Sequence, residues 1–155
     1  MGVFTKEMVK RGAYLYGSRK LGVAHEGSDY DWAIPLNKSN LQLLHTHGFQ
    51  QDTQCGYTRG WRSRHSSWQP MTSLVGLEQE QMHSYRKGNT NVVAMSPLLF
   101  EANKYATTIL ETFDKDRLKD KNERIRGYQQ YGQEYARLYK PNPNMILKKN
   151  DDIPF

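Results

Sequence analysis

YLYGSRKLGVAHEGSDYDWAI, residues 14–34, decides how the rest of the chain is read. One apolar run closes on Gly17-Ser18 and a second opens at Asp29-Tyr30-Asp31. Side chains alternate faces along a strand, so Asp29 and Asp31 share one face while Tyr30 and Trp32 take the other. Neighbouring carboxylates repel unless a cation sits between them, and hard, oxygen-seeking Mg²⁺, or Mn²⁺, suits such a pair. Gly17 allows close backbone approach to a ligand. Ser18 offers a hydroxyl and an N–H where a helix or turn begins, and exposed N–H groups there attract anions. The pattern is a layout for a divalent metal and the phosphates of a nucleoside triphosphate.

Gly17-Ser18 followed ten residues later by Ser28-Asp29-Tyr30-Asp31 resembles the signature of the DNA polymerase beta-like nucleotidyltransferase superfamily. Gly88-Asn89-Thr90-Asn91-Val92-Val93, with Ser96-Pro97-Leu98-Leu99-Phe100 behind it, looks like a second block of one branch, the predicted nucleotidyltransferases associated with RNA ligases. A weaker similarity lies around Arg126-Gly127-Tyr128. The resemblance implies an α+β nucleotidyltransferase fold, a small mixed or antiparallel sheet flanked by helices with a C-terminal helical segment. It implies that Asp29 and Asp31 are catalytic and hold the metal, and that Gly17 and Ser18 cradle the β,γ-phosphates with Ser28 assisting. Arg19, Lys20, Arg86 or Lys87 would neutralise charge. A third carboxylate from a neighbouring strand belongs to the superfamily pattern, and this sequence offers only Glu78 and Asp52 as weak candidates for it.

The 155 residues fit one domain, which at that size buries about 70% of the surface of its unfolded chain. The expected division is a domain over 1–140, with a catalytic core over 1–95 and C-terminal helices over 96–140, then an extended tail over 141–155. The apolar share is 37% and mean hydropathy −0.85, but ten Tyr, five Phe and three Trp supply large apolar bodies with polar handles. A formal charge of +6 favours polyanions such as nucleotides or nucleic acid. The single cysteine, Cys55, excludes an intrachain disulfide and a Cys-rich zinc site. No segment has the ~20 apolar residues of a membrane span, and the Met-Gly start carries Lys6 where acylation needs Ser or Thr. The expected location is cytoplasmic, with no membrane partner.

Local signals predict a helix capped by Thr5 and ended by Gly12, a strand over Ala13–Tyr16, a short helix or turn over Ser18–Ala24 and a strand over Asp29–Leu36. Pro35 suggests that this last strand ends near the sheet edge. Ser39 or Asn37 caps a helix reaching His47, in which His45 and His47, two apart, do not share a face. Strands are expected over Gln50–Cys55, Tyr57–Ser63 and Met71–Leu77. Arg59, Arg62, Arg64 and His65 interleave there with Tyr57, Trp61 and Trp68, either as a single-strand-binding surface or as one packed and one charged strand face. Glu78–Lys87 is expected to be helical. Ser96-Pro97 opens a helix whose stripe runs from Leu99 to Phe113. Asp114–Glu123 reads as a solvated face or loop, and Arg124–Tyr139 as an amphipathic helix with a basic side.

The chemistry expected is transfer of a nucleoside monophosphate from a triphosphate to an RNA end or a protein hydroxyl, Mg²⁺-dependent. The competing expectation is a catalytically degenerate form of the same fold that binds nucleic acid or a protein partner.

Overall fold

A computed structural model describes residues 2–51 and 82–139. Along the chain come helix α1 (Val3–Lys10), strand β1 (Tyr14–Tyr16), α2 (Gly17–Leu21), β2 (Tyr30–Pro35), α3 (Lys38–Thr46) and β3 (Gln50–Gln51). After the interval follow β4 (Met82–Lys87), β5 (Thr90–Met95), α4 (Pro97–Leu110), α5 (Lys115–Leu118) and α6 (Lys121–Tyr139). Among the described residues the strands form a five-stranded sheet in the order β1-β2-β5-β4-β3. The β2–β5 pair is parallel and the other neighbours are antiparallel, so the class is α+β with a mixed sheet flanked by helices.

The sheet buries both faces because its central strands carry apolar residues at odd and even positions alike. Ala33, Val93 and Met95 turn toward the last three helices and pack with Leu99, Leu110, Leu118 and Tyr128. Ile34, Val92 and Ala94 turn the other way, onto Met8, Leu44 and Phe49. On the first face α4 and α6 approach so closely that a Cβ built on Gly127 would collide with the Leu110 side chain. Asn37 caps α3 by accepting from the Asn40 N–H at 2.8 Å, while Asn40 Nδ2 donates to the Pro35 carbonyl. Pro35 ends an interior strand. It is tolerated because β1 covers only Asp31–Ala33, which leaves that flank of β2 open farther along.

The predicted helix over Glu78–Lys87 is corrected: Met82–Lys87 is a strand, joined to β5 by the two-residue turn Gly88-Asn89. Gly88, with φ +60° at the first central position, suits a type II′ turn, whose twist matches the flanking strands. The Asp114–Glu123 stretch is exposed, as expected, at every position but Leu118 and Glu123. It holds α5 and the first turn of α6, and its one apolar residue, Leu118, is completely buried. Helix α1 begins at Val3 behind Gly2, so Thr5 lies inside it, and α4 stops at Leu110. The strands expected over Tyr57–Ser63 and Met71–Leu77, the Arg–Trp cluster, Cys55 and the 141–155 tail lie outside the described residues. No described helix is long and apolar enough to cross a membrane.

Leu118 separates the two readings of the charged stretch. Leu118→Ala should cost about 2–5 kcal/mol in urea unfolding, whereas Leu138→Ala, on a side chain 65% exposed, should stay within about 0.5 kcal/mol of wild type. Equal effects would mean that α5 does not anchor the last helix.

Candidate functional site

A single row of residues crosses four strands. Tyr16 of β1 pairs with Asp31 of β2, Asp31 with Asn91 of β5, and Asn91 with Arg86 of β4. Pairing in register keeps these side chains on one face of the sheet, and Asp29, two residues before Asp31, joins them at the head of β2. Asn91 Nδ2 reaches both carboxylates, at 3.2 Å from Asp31 Oδ1 and 3.4 Å from Asp29 Oδ2. Arg86 Nη2 donates to Asp29 Oδ2 at 3.1 Å across the sheet. The two acids expected to act together are therefore adjacent, and Arg86 meets them from a strand.

Gly17 closes the row from above. Its φ of +71° lies in the left-handed region that glycine alone enters easily, and a Cβ there would stand 2.8 Å from Asp31 Oδ2. The bend and the carboxylate thus come together, as the sequence pattern required. Helix α2, five residues long, follows at once and ends on Gly22 in the left-handed conformation. The Gly17 N–H donates to Tyr128 Oη at 3.0 Å. Thr107 Oγ1 donates to the Asn103 carbonyl, so its contact with Tyr128 at 3.0 Å must be one in which the phenol donates. Gly17, Tyr128, Thr107 and the α4 backbone form a hydrogen-bond chain with one direction, and burial raises the Tyr128 phenol to about 12.

Between this bend and the last helix lies a cavity of about 150 Å³, with Asp31, Gly17 and Ser18 on one side and Lys121, Arg124 and Tyr128 on the other. Its size suits a metal ion and phosphoryl groups, with the remainder of a nucleotide outside. Arg124 is held there by donating to the carbonyls of Leu118, at 2.7 Å, and Lys119, at 3.1 Å. Burial lifts the Asp31 carboxyl from 3.8 to about 6. The Asn91 hydrogen bond opposes the rise, Asp29 adds to it, and Arg86 and Arg124 oppose it.

The remaining expected residues are engaged elsewhere. Arg19 Nη2 donates to the carbonyls of Glu26 and Ser28, and its guanidinium lies 4.3 Å from the centroid of the Tyr30 ring, so it fastens the 25–28 turn. Ser28 Oγ accepts from the His25 N–H within that turn. Lys20 pairs with Glu111 at 3.6 Å, and Lys87 donates to the His47 carbonyl on the opposite sheet face. Glu78 and Asp52 lie outside the described residues. Asn91, Lys121 and Arg124 are the residues that sequence reasoning missed as site members. Asn91 sat inside a quoted motif block, and Arg124 on a helix read only as basic.

The donors fit a hard divalent cation in part. Two carboxylates share one amide, and ionised Asp31 is held against its burial. Among the described residues no group of three or more His, Cys, Asp and Glu gathers to complete a metal shell.

The raised Asp31 pKa sets a pH dependence whose sign is opposite to that of a salt-bridged acid. Between pH 4 and 6 the native chain keeps a proton that the unfolded chain releases, so stability is fullest near pH 4 and falls as pH rises through 6. In metal-free protein at pH 7.5, Asp31→Asn should add about 1–3 kcal/mol in chemical unfolding, and the gain should vanish near pH 4. A destabilised Asn variant would remove the inference that Asp31 is ionised at a cost.

Compared with known proteins, the chain matches no family model, no curated protein and no solved structure.

Proposed function

We propose that this chain is a Mg²⁺-dependent nucleotidyltransferase that moves a nucleoside monophosphate from a nucleoside triphosphate to an RNA end or a protein hydroxyl. The observation that carries the reading is the contact between Gly17 and Asp31: a backbone bend with no side chain stands directly over the carboxylate of a paired acid, beside a cavity rimmed by two cations.

In this reading Asp29 and Asp31 hold the divalent ion, and the Asn91 amide can turn its oxygen to the same point, since amide orientation follows its partners. The ion supplies charge neutralisation at the phosphoryl oxygens when bound. Lys121 and Arg124 neutralise the polyphosphate from α6, and Ser18 offers its hydroxyl at the bend. An acceptor hydroxyl oxygen forms the new bond to the α-phosphorus as the bond to pyrophosphate breaks, and the hydroxyl proton leaves to solvent or to a carboxylate. Arg86 pairs Asp29 in the metal-free chain and limits repulsion between the two acids.

A second reading has its own observation. The strand paired with Asp31 presents neutral Asn91 beside it, and the candidates for a third acid, Glu78 and Asp52, lie outside the described residues; an amide there favours a form of the fold that binds nucleotide or nucleic acid without transferring it.

Incubation with each α-labelled triphosphate, Mg²⁺ or Mn²⁺, and either RNA or protein acceptors separates the two. Transfer by wild type should be abolished when Asp29→Ala and Asp31→Ala are combined, and transfer that survives the pair contradicts the metal assignment. Triphosphate binding without transfer establishes the binding form. In equilibrium binding with Mg²⁺, Lys121→Ala should weaken a nonhydrolysable triphosphate about 5–10-fold, the loss of roughly one charge-assisted contact. Unchanged affinity would place the phosphates away from α6.

A further inference from the structure

The sheet face opposite the paired aspartates carries a second opening that the transfer chemistry does not use. It is a groove of about 630 Å³, within the range of ligand pockets, between α1, the head of β2 and the tip of the β4–β5 turn. Among the described residues that line it, Phe4, Tyr30, Trp32, His47 and Phe49 carry rings and none is Asp or Glu. Lys87 stands at the rim. We propose that this groove binds single-stranded nucleic acid by stacking bases on its rings.

Three observations favour that occupant. The rings are set in advance: Phe4 stacks on Phe49 at 5.0 Å and tilts against His47 at 4.7 Å, so one wall is a fixed aromatic cluster. Tyr30 is 39% exposed, although the Arg19 guanidinium lies over its ring and is itself fastened to the Glu26 and Ser28 carbonyls. A large ring anchored this way and still open to solvent is a stacking platform that loses little freedom on binding. The charge is complementary to phosphate as well: in a chain of net +6, the described residues that line this groove include Lys87 and no acid. An apolar helix of a partner protein would need a drier trough than one edged by Lys87, His47, Thr5 and Thr90.

The inference stands apart from the transfer reading, because it needs neither a triphosphate nor a metal. Its test is fluorescence anisotropy of the full chain with a fluorescein-labelled 12-nucleotide oligouridine, and with oligodeoxythymidine of the same length, in chelator at fixed salt. Wild type should bind, and Tyr30→Ala should bind about 10-fold more weakly, the effect expected of removing one stacking ring. Tyr30→Phe should remain within about twofold of wild type, since the ring is kept. Lys87→Ala should weaken binding and flatten its salt dependence, while Lys104→Ala, on the exposed side of α4 across the sheet, should do neither. Circular dichroism establishes that each variant is folded. No binding by wild type, an unchanged affinity in Tyr30→Ala, or an equal loss in Tyr30→Phe would each overturn the proposal. None of these outcomes bears on the Asp29 and Asp31 assignment, which rests on label transfer.

Discussion

A carboxylate taken partly out of water beside another carboxylate is the constraint around which this fold is arranged. Burial disfavours ionised Asp31, and Asp29 disfavours it further. Each element that borders the pair eases one part of that burden. β5 brings the Asn91 amide within reach of both acids, β4 brings Arg86 to Asp29, and α6 brings Arg124 close enough to lower the charge cost at Asp31. None of these is strong alone. The Arg86 pair is about two-fifths exposed on both sides, and such pairs contribute about 0–1 kcal/mol. Compensation is thus spread over three elements and left incomplete, since the Asp31 carboxyl stays raised to about 6.

The bend above Asp31 depends on the far end of the chain. Gly17 holds its left-handed conformation with its N–H given to Tyr128, whose phenol is passed on to Thr107 and the α4 backbone. That connection is possible because α6 comes very close to α4 at Gly127, where any side chain would meet a methyl of Leu110. Close helix packing therefore fixes the phenol, and the phenol fixes the bend. The same helix carries Lys121 and Arg124 to the cavity, so packing and electrostatics at the site share one support.

How much of this could be read in the residues depends on what kind of signal each part left. The meeting of Gly17 with Asp31 was legible because it depends on short-range patterns, alternation around Asp29-Tyr30-Asp31 and a glycine at a chain reversal, whereas the α+β class followed from the resemblance that those residues carry. β4 was not legible. Its inward set, Met82, Ser84 and Arg86, mixes apolar, small and charged residues, so the period of two has no hydrophobic contrast to reveal it. Leu118 was missed for a related reason, since one leucine among charges has no period at all. Lys121 and Arg124 needed tertiary information. A basic helix face announces charge without naming what it faces, and only the packing of α6 on α4 turns those cations toward the cavity that Asp31 lines. Arg19 misled in the opposite direction: a cation next to the phosphate bend turned out to hold a turn and a tyrosine ring.

The two halves of the cavity are separated by about ninety positions along the chain, from Gly17 and Asp31 at one end to Lys121, Arg124 and Tyr128 at the other. Vectorial synthesis gives that separation a temporal meaning. A nascent polypeptide that has released its first sheet strands from the ribosome still lacks one wall of this cavity. The cavity is closed only once Lys121–Tyr139 has been translated, and a product terminated before it carries Asp29 and Asp31 without Lys121, Arg124 and Tyr128 opposite them.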